Sequence, residues 1–215
     1  MDLSTKTLIL DVAERLFAEQ GFAATSMRAI TAAAGVNLAA VNYHFGSKEA
    51  LLVAVFDRRL MPVNQRRMDL LTTVLATAER ESRAPTIEAI LDALFRPALD
   101  LLREPGGHSC VRLFARAHLE AEAEALEALL LERFCEVRDR FMPALCRALP
   151  EFDGSSIAWR IHLAIGAFAH TMQSTLRLSW LTQGDPTPPD LDTTLARLIA
   201  FCAAGMRAGP TEATQ

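Results

Sequence analysis

The side chains best suited to chemistry lie close together in one stretch, which reads TSMRAITAAAGVNLAAVNYHFGSKEALL. Arg28 can contact a phosphate or the edge of a guanine, and Asn42 can pair with adenine through two hydrogen bonds. Tyr43, His44 and Lys48 follow Asn42 at short spacing. Side chains of these types bind nucleic acid when the chain presents them on one surface.

The first part of this stretch predicts a short helix that ends sharply. Ser26 or Thr25 can cap it, because a side-chain oxygen accepts a hydrogen bond from a free N–H of the first turn. Met27, Ile30 and Ala34 recur at helical spacing and are expected to face inward.

Gly35 can adopt the positive φ that ends a helix, and Asn37 caps a second helix over about residues 38–44. Val41 and Phe45 are predicted to face inward on it. Two helices joined by a tight turn form a helix-turn-helix, whose second helix fits the major groove of DNA. The outward residues are predicted to be Leu38, Ala39, Asn42 and Tyr43.

With its flanks, the stretch resembles the DNA-binding head of the TetR family of transcriptional regulators. The likeness runs from about Thr7 to Phe56 and includes LILDVAERLFAEQGFAATS before the motif and YHFGSKEALL after it. It implies an all-α protein in which an N-terminal three-helix head carries the helix-turn-helix and a larger helical body binds ligand and dimerises, with about nine helices. The expected limits are 1–50 for the head, 51–208 for the body and 209–215 for a flexible tail.

The resemblance implies that Thr25, Tyr43, His44 and Lys48 clamp phosphates, and Lys6 at the start of the first helix could reach another. Arg28 could instead be a solvated surface arginine, and His44 could pack under Phe45. The predicted DNA-contacting residues are Lys6, Thr25, Ser26, Arg28, Leu38, Ala39, Ala40, Asn42, Tyr43, His44 and Lys48. Few of the predicted DNA-contacting residues on the second helix are polar. Part of the specificity for the operator sequence is therefore expected to come from DNA shape.

Composition agrees with a helical regulator. Half of the residues are apolar, with Ala and Leu dominant and Tyr rare, which favours helix. The net charge is −4, yet residues 1–60 contain six basic and six acidic residues, so the acidic excess lies in the remainder. The four cysteines form no CxxC pair and indicate a reduced compartment. Without a secretion signal or an apolar stretch long enough to span a membrane, we expect a cytoplasmic protein.

The last two long helices are the predicted dimer surface. Residues 155–182 form a helix that is apolar almost all round, and such a helix must be covered on every side. With the amphipathic helix at 191–206, it is expected to form a four-helix bundle across a twofold axis. One head covers only a few base pairs, so a homodimer on a near-palindromic operator is expected.

The body is expected to hold a small apolar effector, as bodies of the family do. For each candidate, ordinary core packing is the alternative. The pocket candidates are Met68, Leu91, Phe95, Arg112, Phe114, His118, Phe134, Phe141, His162, Phe168 and Met172. The segments WRIHLAIGAF and FCAAGMRA resemble those of a subgroup that senses long-chain fatty acids or their CoA esters.

Other functions fit the sequence less well. No GxSxG, HExxH, P-loop or paired-cysteine motif occurs, which argues against an enzyme. His162 and His170 are too far apart along a helix to act as an i, i+4 metal pair, so no metal or cofactor is expected. A multidrug sensor that controls an efflux pump and a DNA-binding protein without a ligand remain the alternatives.

Overall fold

The computed structural model describes residues 3–117, 123–173 and 190–209. Regular structure within these ranges is entirely helical, so the all-α prediction is confirmed. Nine α-helices occur there: α1 Leu3–Gln20, α2 Met27–Ala34, α3 Leu38–Phe45, α4 Lys48–Arg80, α5 Ile87–Asp100, α6 Gly107–Ala117, α7 Ala123–Ala148, α8 Gly154–Gln173 and α9 Leu191–Arg207. A single 3-10 turn, Leu101–Arg103, follows α5. Of the helices described, none is long and apolar enough to cross a membrane.

The chain divides into two compact units, and the divisions fall within α4, before the last residue of α5 and within α7. The first unit contains the residues up to Gln65 together with Asp100–Cys135. The second contains Arg66–Leu99 together with the residues from Glu136 onward. The expected limits of head and body, at residues 50 and 51, remain a prediction.

In the first unit, α1 is the central helix and packs against α2, α3 and α6. Its inner stripe includes Ile9 and Phe17, both fully buried, and it meets Ile30 from α2, Val41 from α3 and Leu51 from α4. Each of these helices buries one apolar stripe and leaves the opposite face in solvent, as amphipathic surface helices do. The outer faces of α2 and α3 are therefore held on a fixed core.

Helix α4 contains an internal proline that does not end it. The helix is continuous over 33 residues with Pro62 inside it. A proline removes one helix hydrogen bond, but Leu60 and Val63 on either side of it are buried. Burial of these neighbours keeps the chain helical across the exposed proline.

In the second unit, α5 supplies a densely buried stripe that includes Ile90, Leu91 and Phe95. Helix α8 packs against α9, and Arg160 fastens the two together. Its Nη1 donates to the carbonyl oxygens of Gly205 at 3.0 Å and Met206 at 3.2 Å. A cation at the end of α9 also interacts favourably with the helix dipole.

Candidate nucleic-acid interface

Helix α2 begins and ends on residues that are locally suited to do so. Ser26 has an extended backbone, and its Oγ accepts a hydrogen bond from the N–H of Ala29 at 3.1 Å. Gly35 ends the helix with φ +64°, a conformation that glycine adopts without strain. Arg28 in the first turn is exposed, and its backbone carbonyl accepts a hydrogen bond from the hydroxyl of Thr31 at 2.9 Å.

Helix α3 is held by its cap and by one deeply buried side chain. Asn37 Oδ1 accepts from the N–H of Ala40 at 2.7 Å, and Val41 is fully buried. The opposite face is open, as predicted, and Tyr43 is 85% exposed. Leu38, Ala39 and Asn42 are exposed beside it, and Ala40 is half-buried.

Three aromatic rings and one lysine form a chain of contacts at the end of α3. The rings of Tyr43 and His44 meet edge to face with centroids 5.2 Å apart, and those of His44 and Phe45 are 6.0 Å apart. Lys6 Nζ lies 6.0 Å from the centroid of the Phe45 ring. Lys6 of α1 therefore lies close to the end of α3. The half-buried position of His44 is compatible with both predicted roles, contact with a phosphate and packing under Phe45.

Lys48 joins the start of α4 to the turn between α1 and α2. Its Nζ donates to the carbonyl oxygen of Phe22 at 2.9 Å and lies 4.1 Å from the centroid of the Phe22 ring.

Ser47 caps α4 by accepting a hydrogen bond from the N–H of Ala50 at 3.1 Å. Hydrogen bonds from the backbone of Glu49 and from Ser47 lower the pKa of the Glu49 carboxyl, and the charge of Lys48 adds to this.

Thr25 requires a correction. Its side chain is fully buried, and its hydroxyl donates to the carbonyl oxygen of Gly21 at 2.7 Å and to that of Leu16 at 3.3 Å. These carbonyls belong to the end of α1, where helix hydrogen bonding runs out. The hydroxyl therefore stabilises the α1–α2 turn and does not face a phosphate, and Ser26 alone caps α2.

The predicted effector residues that lie in the second unit form part of its core. Leu91, Phe95, Phe141 and Phe168 are buried, and Met68 and Met172 are half-buried. The rings of Phe95 and Phe168 stack at 4.6 Å and are within 8° of parallel.

Two of the pocket candidates lie outside the core of the second unit. His162 is exposed, and its ring meets that of Trp159 edge to face at 5.9 Å. Phe134 packs against the core of the first unit. Arg112 and Phe114 lie in α6, but their side chains are outside what the structure describes, and His118 lies outside the described residues altogether.

An apolar surface lies on α8 and α9. Trp159 and Leu163 on α8 are each 67% exposed, and Phe201 on α9 is 72% exposed. Large exposed apolar groups on neighbouring helices mark protein–protein contacts. This agrees with the position of the predicted dimer surface, although residues 174–182 of the predicted helix lie outside the described residues.

The sequence analysis missed one buried charged group of the first unit. Glu14 on α1 is almost completely buried and accepts hydrogen bonds from Arg58 and Arg59 of α4. Its position in the sequence indicates that it is buried, because Glu14 lies four residues after Leu10 and three before Phe17, on the inner stripe of α1.

Two descriptions of known families match the chain. The model of bacterial regulatory proteins of the tetR family matches residues 9–55. The model of the tetracyclin repressor-like C-terminal domain matches residues 92–205, which is more than half of the chain.

Individual relatives agree with these matches. An HTH-type transcriptional repressor of Mycobacterium tuberculosis (strain ATCC 25618 / H37Rv) is 38% identical over 112 residues, which cover 43% of this chain and 59% of that protein. The chain thus spans little more than half the length of this curated relative.

Solved structures share the fold. FadR from Bacillus subtilis in complex with stearoyl-CoA has a TM-score of 0.62 at 17% identity, covering 93% of this chain and 98% of that chain. The SmeT–triclosan complex has a TM-score of 0.63 at 22% identity, covering 97% and 96%. Since the second family description alone spans more than half of the residues, and the first coincides with the helix-turn-helix, the chain belongs to the TetR family of bacterial regulatory proteins.

Proposed function

We propose that the protein is a transcriptional repressor in the cytoplasm that binds a near-palindromic DNA operator as a homodimer and is released by a small apolar effector. The observation that carries this proposal is the exposed face of α3, which Val41 anchors from beneath. A helix held on a rigid core with its outer face open has the form of a recognition helix in a helix-turn-helix.

In this proposal, the ends of the helices contact phosphates and the face of α3 reads bases. Ser26, Arg28 and Tyr43 are exposed and can donate to phosphate oxygens. Lys48 has three N–H donors, so its ammonium can hold the Phe22 carbonyl and a phosphate together. Lys6 and His44 extend the same set of contacts.

Sequence recognition on α3 depends on few polar groups. Asn42 can pair with adenine, whereas Leu38, Ala39 and Ala40 can contact only a thymine methyl or give clearance. Because direct hydrogen bonds to bases are few, the shape and deformability of the operator supply part of the specificity.

Dimerisation would follow from the apolar surface of α8 and α9. Pairing two copies through Trp159, Leu163 and Phe201 covers the largest exposed apolar side chains of these helices. In the DNA-bound dimer, two recognition helices lie about one turn of DNA apart, roughly 34–36 Å.

The effector would act by changing that spacing. A ligand shifts the equilibrium only by its difference in affinity for the two states, so it must favour a conformation in which α4 is tilted. The buried aromatic residues of the second unit suit a long acyl chain, and FadR from Bacillus subtilis was solved with stearoyl-CoA. A fatty acid or its CoA ester is therefore the favoured effector. The structure of SmeT with triclosan keeps a multidrug sensor as the alternative.

Operator binding can be tested by fluorescence anisotropy with DNA from upstream of the gene. Arg28→Gln and Arg80→Gln each remove one exposed positive charge, the first from α2 and the second from the end of α4. We expect Arg28→Gln to weaken binding about tenfold and to reduce the salt dependence by about one phosphate contact. Arg80→Gln should stay close to wild type. Equal effects of the two variants would contradict the proposed docking of α2.

The effector class can be tested on the same complex. Oleate, palmitate, their CoA esters and triclosan are titrated into the protein–DNA complex. Release by the acyl compounds supports a fatty-acid regulator, and release by triclosan alone supports the multidrug sensor. If none of them changes binding, the effector part of the proposal fails while operator binding stands.

A further inference from the structure

Helix α4 is joined to α7 by hydrogen bonds that meet on a single residue, Arg133. The carboxylate of Asp57 accepts from Nε of Arg133 at 2.9 Å and from its Nη2 at 3.3 Å. Two turns further along α4, Nδ2 of Asn64 donates to the backbone carbonyl oxygen of Arg133 at 2.9 Å. Because residues seven apart lie on one face of a helix, α4 holds both the side chain and the backbone of the same residue. We call Asp57, Asn64 and Arg133 the α4–α7 joint.

The α4–α7 joint is partly enclosed by the first unit. Asn64 is buried, and the side chains of Arg133 and Asp57 are 24% and 36% exposed. Two N–H groups of a guanidinium that bind both oxygens of a carboxylate fix direction as well as distance. The joint therefore restricts rotation of α4 against α7, although an ion pair this accessible to solvent adds little to the free energy of unfolding.

Other residues hold α4 to α1 and to the segment before α6. Arg59 donates to the buried Glu14 of α1 and to the carbonyl oxygen of Pro105. Arg59 follows Asp57 by two positions, and residues two apart do not face the same side of a helix. Within the first unit, α4 is thus held from two sides.

The α4–α7 joint lies where the chain leaves the first unit. The proposed recognition helix α3 belongs to this unit, whereas the proposed dimer surface belongs to the second. The chain passes between the units within α4, at residues 65–66, and within α7, at residues 135–136. Asn64 and Arg133 lie within two or three residues of these passages, so the joint links them. An α4 that rotates freely against α7 lets α3 follow a displaced half-site, and a held α4 does not.

We propose that the α4–α7 joint makes the protein selective for the distance between the two half-sites of its operator, with Asp57 as a positioning residue. The inference rests on the proposed function, which supplies the dimer and the operator. Neither Asp57 nor Arg133 touches DNA in this role. Without the joint, the protein adapts to other distances and binds the best one more weakly, because binding must then order the loosened helices.

The test is fluorescence anisotropy on a series of operators with altered centres. The probe is the DNA upstream of the gene that the wild type protects from nuclease digestion, together with versions lengthened or shortened at the centre by one or two base pairs. One inserted base pair displaces a half-site by about 3.4 Å along the DNA axis and rotates it by about 35°. A rigidly held pair of recognition helices cannot follow both changes.

The proteins are the wild type, Asp57→Asn, Arg133→Gln and the matched control Glu132→Gln. Glu132 accepts from Nη1 of the same Arg133 at 3.0 Å, but it lies on α7, so Glu132→Gln removes an equal charge and leaves the joint closed. We expect the wild type to bind the altered operators at least about tenfold more weakly than the original. Asp57→Asn and Arg133→Gln should reduce this ratio to about threefold or less, and Glu132→Gln should keep it.

The ratio of affinities separates positioning from a structural role, since partial unfolding or a change of net charge alters binding to every operator alike. The double variant should reduce the ratio no further than either single variant, because both substitutions break one pair. A wild type that binds all the operators equally overturns the inference. So does an Asp57→Asn variant that discriminates as the wild type does. If Asp57→Asn does not fold, Arg133→Gln decides in its place.

Operator binding by the wild type is measured first. A wild type that protects no upstream DNA refutes the proposed function, and the inference falls with it. A wild type that binds the operator and prefers one distance, while Asp57→Asn keeps that preference, refutes the role of the α4–α7 joint only.

Discussion

Glu14 and Arg59 form a two-pronged ion pair in which Nε and Nη2 of Arg59 each lie 3.1 Å from one oxygen of the Glu14 carboxylate. Nη2 of Arg58 donates to the same carboxylate at 2.5 Å. Arg59 also donates to the carbonyl oxygen of Pro105 at 3.0 Å. Within the first unit, α1, α4 and the segment before α6 therefore meet at one buried carboxylate.

Glu14→Gln should destabilise the protein strongly. The substitution removes the buried counter-charge of Arg58 and Arg59, which keep ion pairs with Asp11 and Glu104, so we expect a loss of about 1–3 kcal/mol. Urea unfolding followed by circular dichroism measures the loss. Glu19→Gln is the control, because Glu19 pairs with Arg15 at the surface and such pairs contribute about 0–1 kcal/mol. Similar losses in both variants would show that burial does not strengthen the Glu14 interactions.

The contrast between the caps and Glu14 shows which features a sequence can reveal. Ser26, Gly35 and Asn37 act on residues within a few positions of themselves, so their roles follow from local rules. The partners of Glu14 are 44 and 45 residues away. A charge on an inner stripe signals burial, but its partner is known only once the helices are packed.

Thr25→Val should reduce stability and leave operator affinity nearly unchanged. The variant keeps the shape of the side chain but removes the donor to the carbonyl oxygens of Gly21 and Leu16. An unsatisfied buried polar group costs about 1–3 kcal/mol. Thermal unfolding and anisotropy on the operator measure the two quantities. If Thr25→Val has wild-type stability but binds DNA more weakly, Thr25 contacts a phosphate, as the sequence predicted.

The second unit shows where hydrophobic periodicity is ambiguous. On α5 the pattern has one apolar stripe, and Leu91 and Phe95 are buried as that stripe requires. Helix α8 is apolar on several faces, so periodicity cannot distinguish the face that meets its own unit from the one in solvent. The sequence therefore predicts a pocket position for His162, whereas its side chain is exposed beside Trp159. Arg67 on α4 is buried and its Nε donates to the carbonyl oxygen of Leu94 at 2.8 Å, although its neighbours Gln65 and Arg66 are exposed polar residues.

Leu163→Glu and Phe201→Glu should each convert the proposed dimer into a monomer. Both side chains lie on the exposed apolar surface of α8 and α9, and pairing that surface would bury the new carboxylates without partners, at a cost of several kcal/mol. Sedimentation velocity gives the oligomeric state. Met61→Glu is the control, because Met61 is exposed on α4. A wild type that is monomeric, or dimers in both α8–α9 variants, would place the interface elsewhere.

Cys110 should make stability fall at alkaline pH. Burial raises the pKa of its thiol to about 12, and the charge of Glu14 contributes. The thiol of the unfolded chain ionises near pH 9.0. Between these values the unfolded state loses the proton and the folded state keeps it, so the free energy of unfolding falls as pH rises, by up to about 1.4 kcal/mol per pH unit.

Urea unfolding of the wild type and Cys110→Ala at several pH values from 8 to 11 isolates this contribution. We expect the wild type to lose more stability above pH 9 than Cys110→Ala does, while Cys146→Ala, at an exposed thiol, follows the wild type. The cavity left by Cys110→Ala lowers stability at every pH and so leaves the slope unaffected. The exposed Cys146 should also react with a thiol reagent at pH 8 well before Cys110, because the Cys110 thiol is buried. Parallel pH curves for the wild type and Cys110→Ala would show that the Cys110 thiol is solvated in the folded protein.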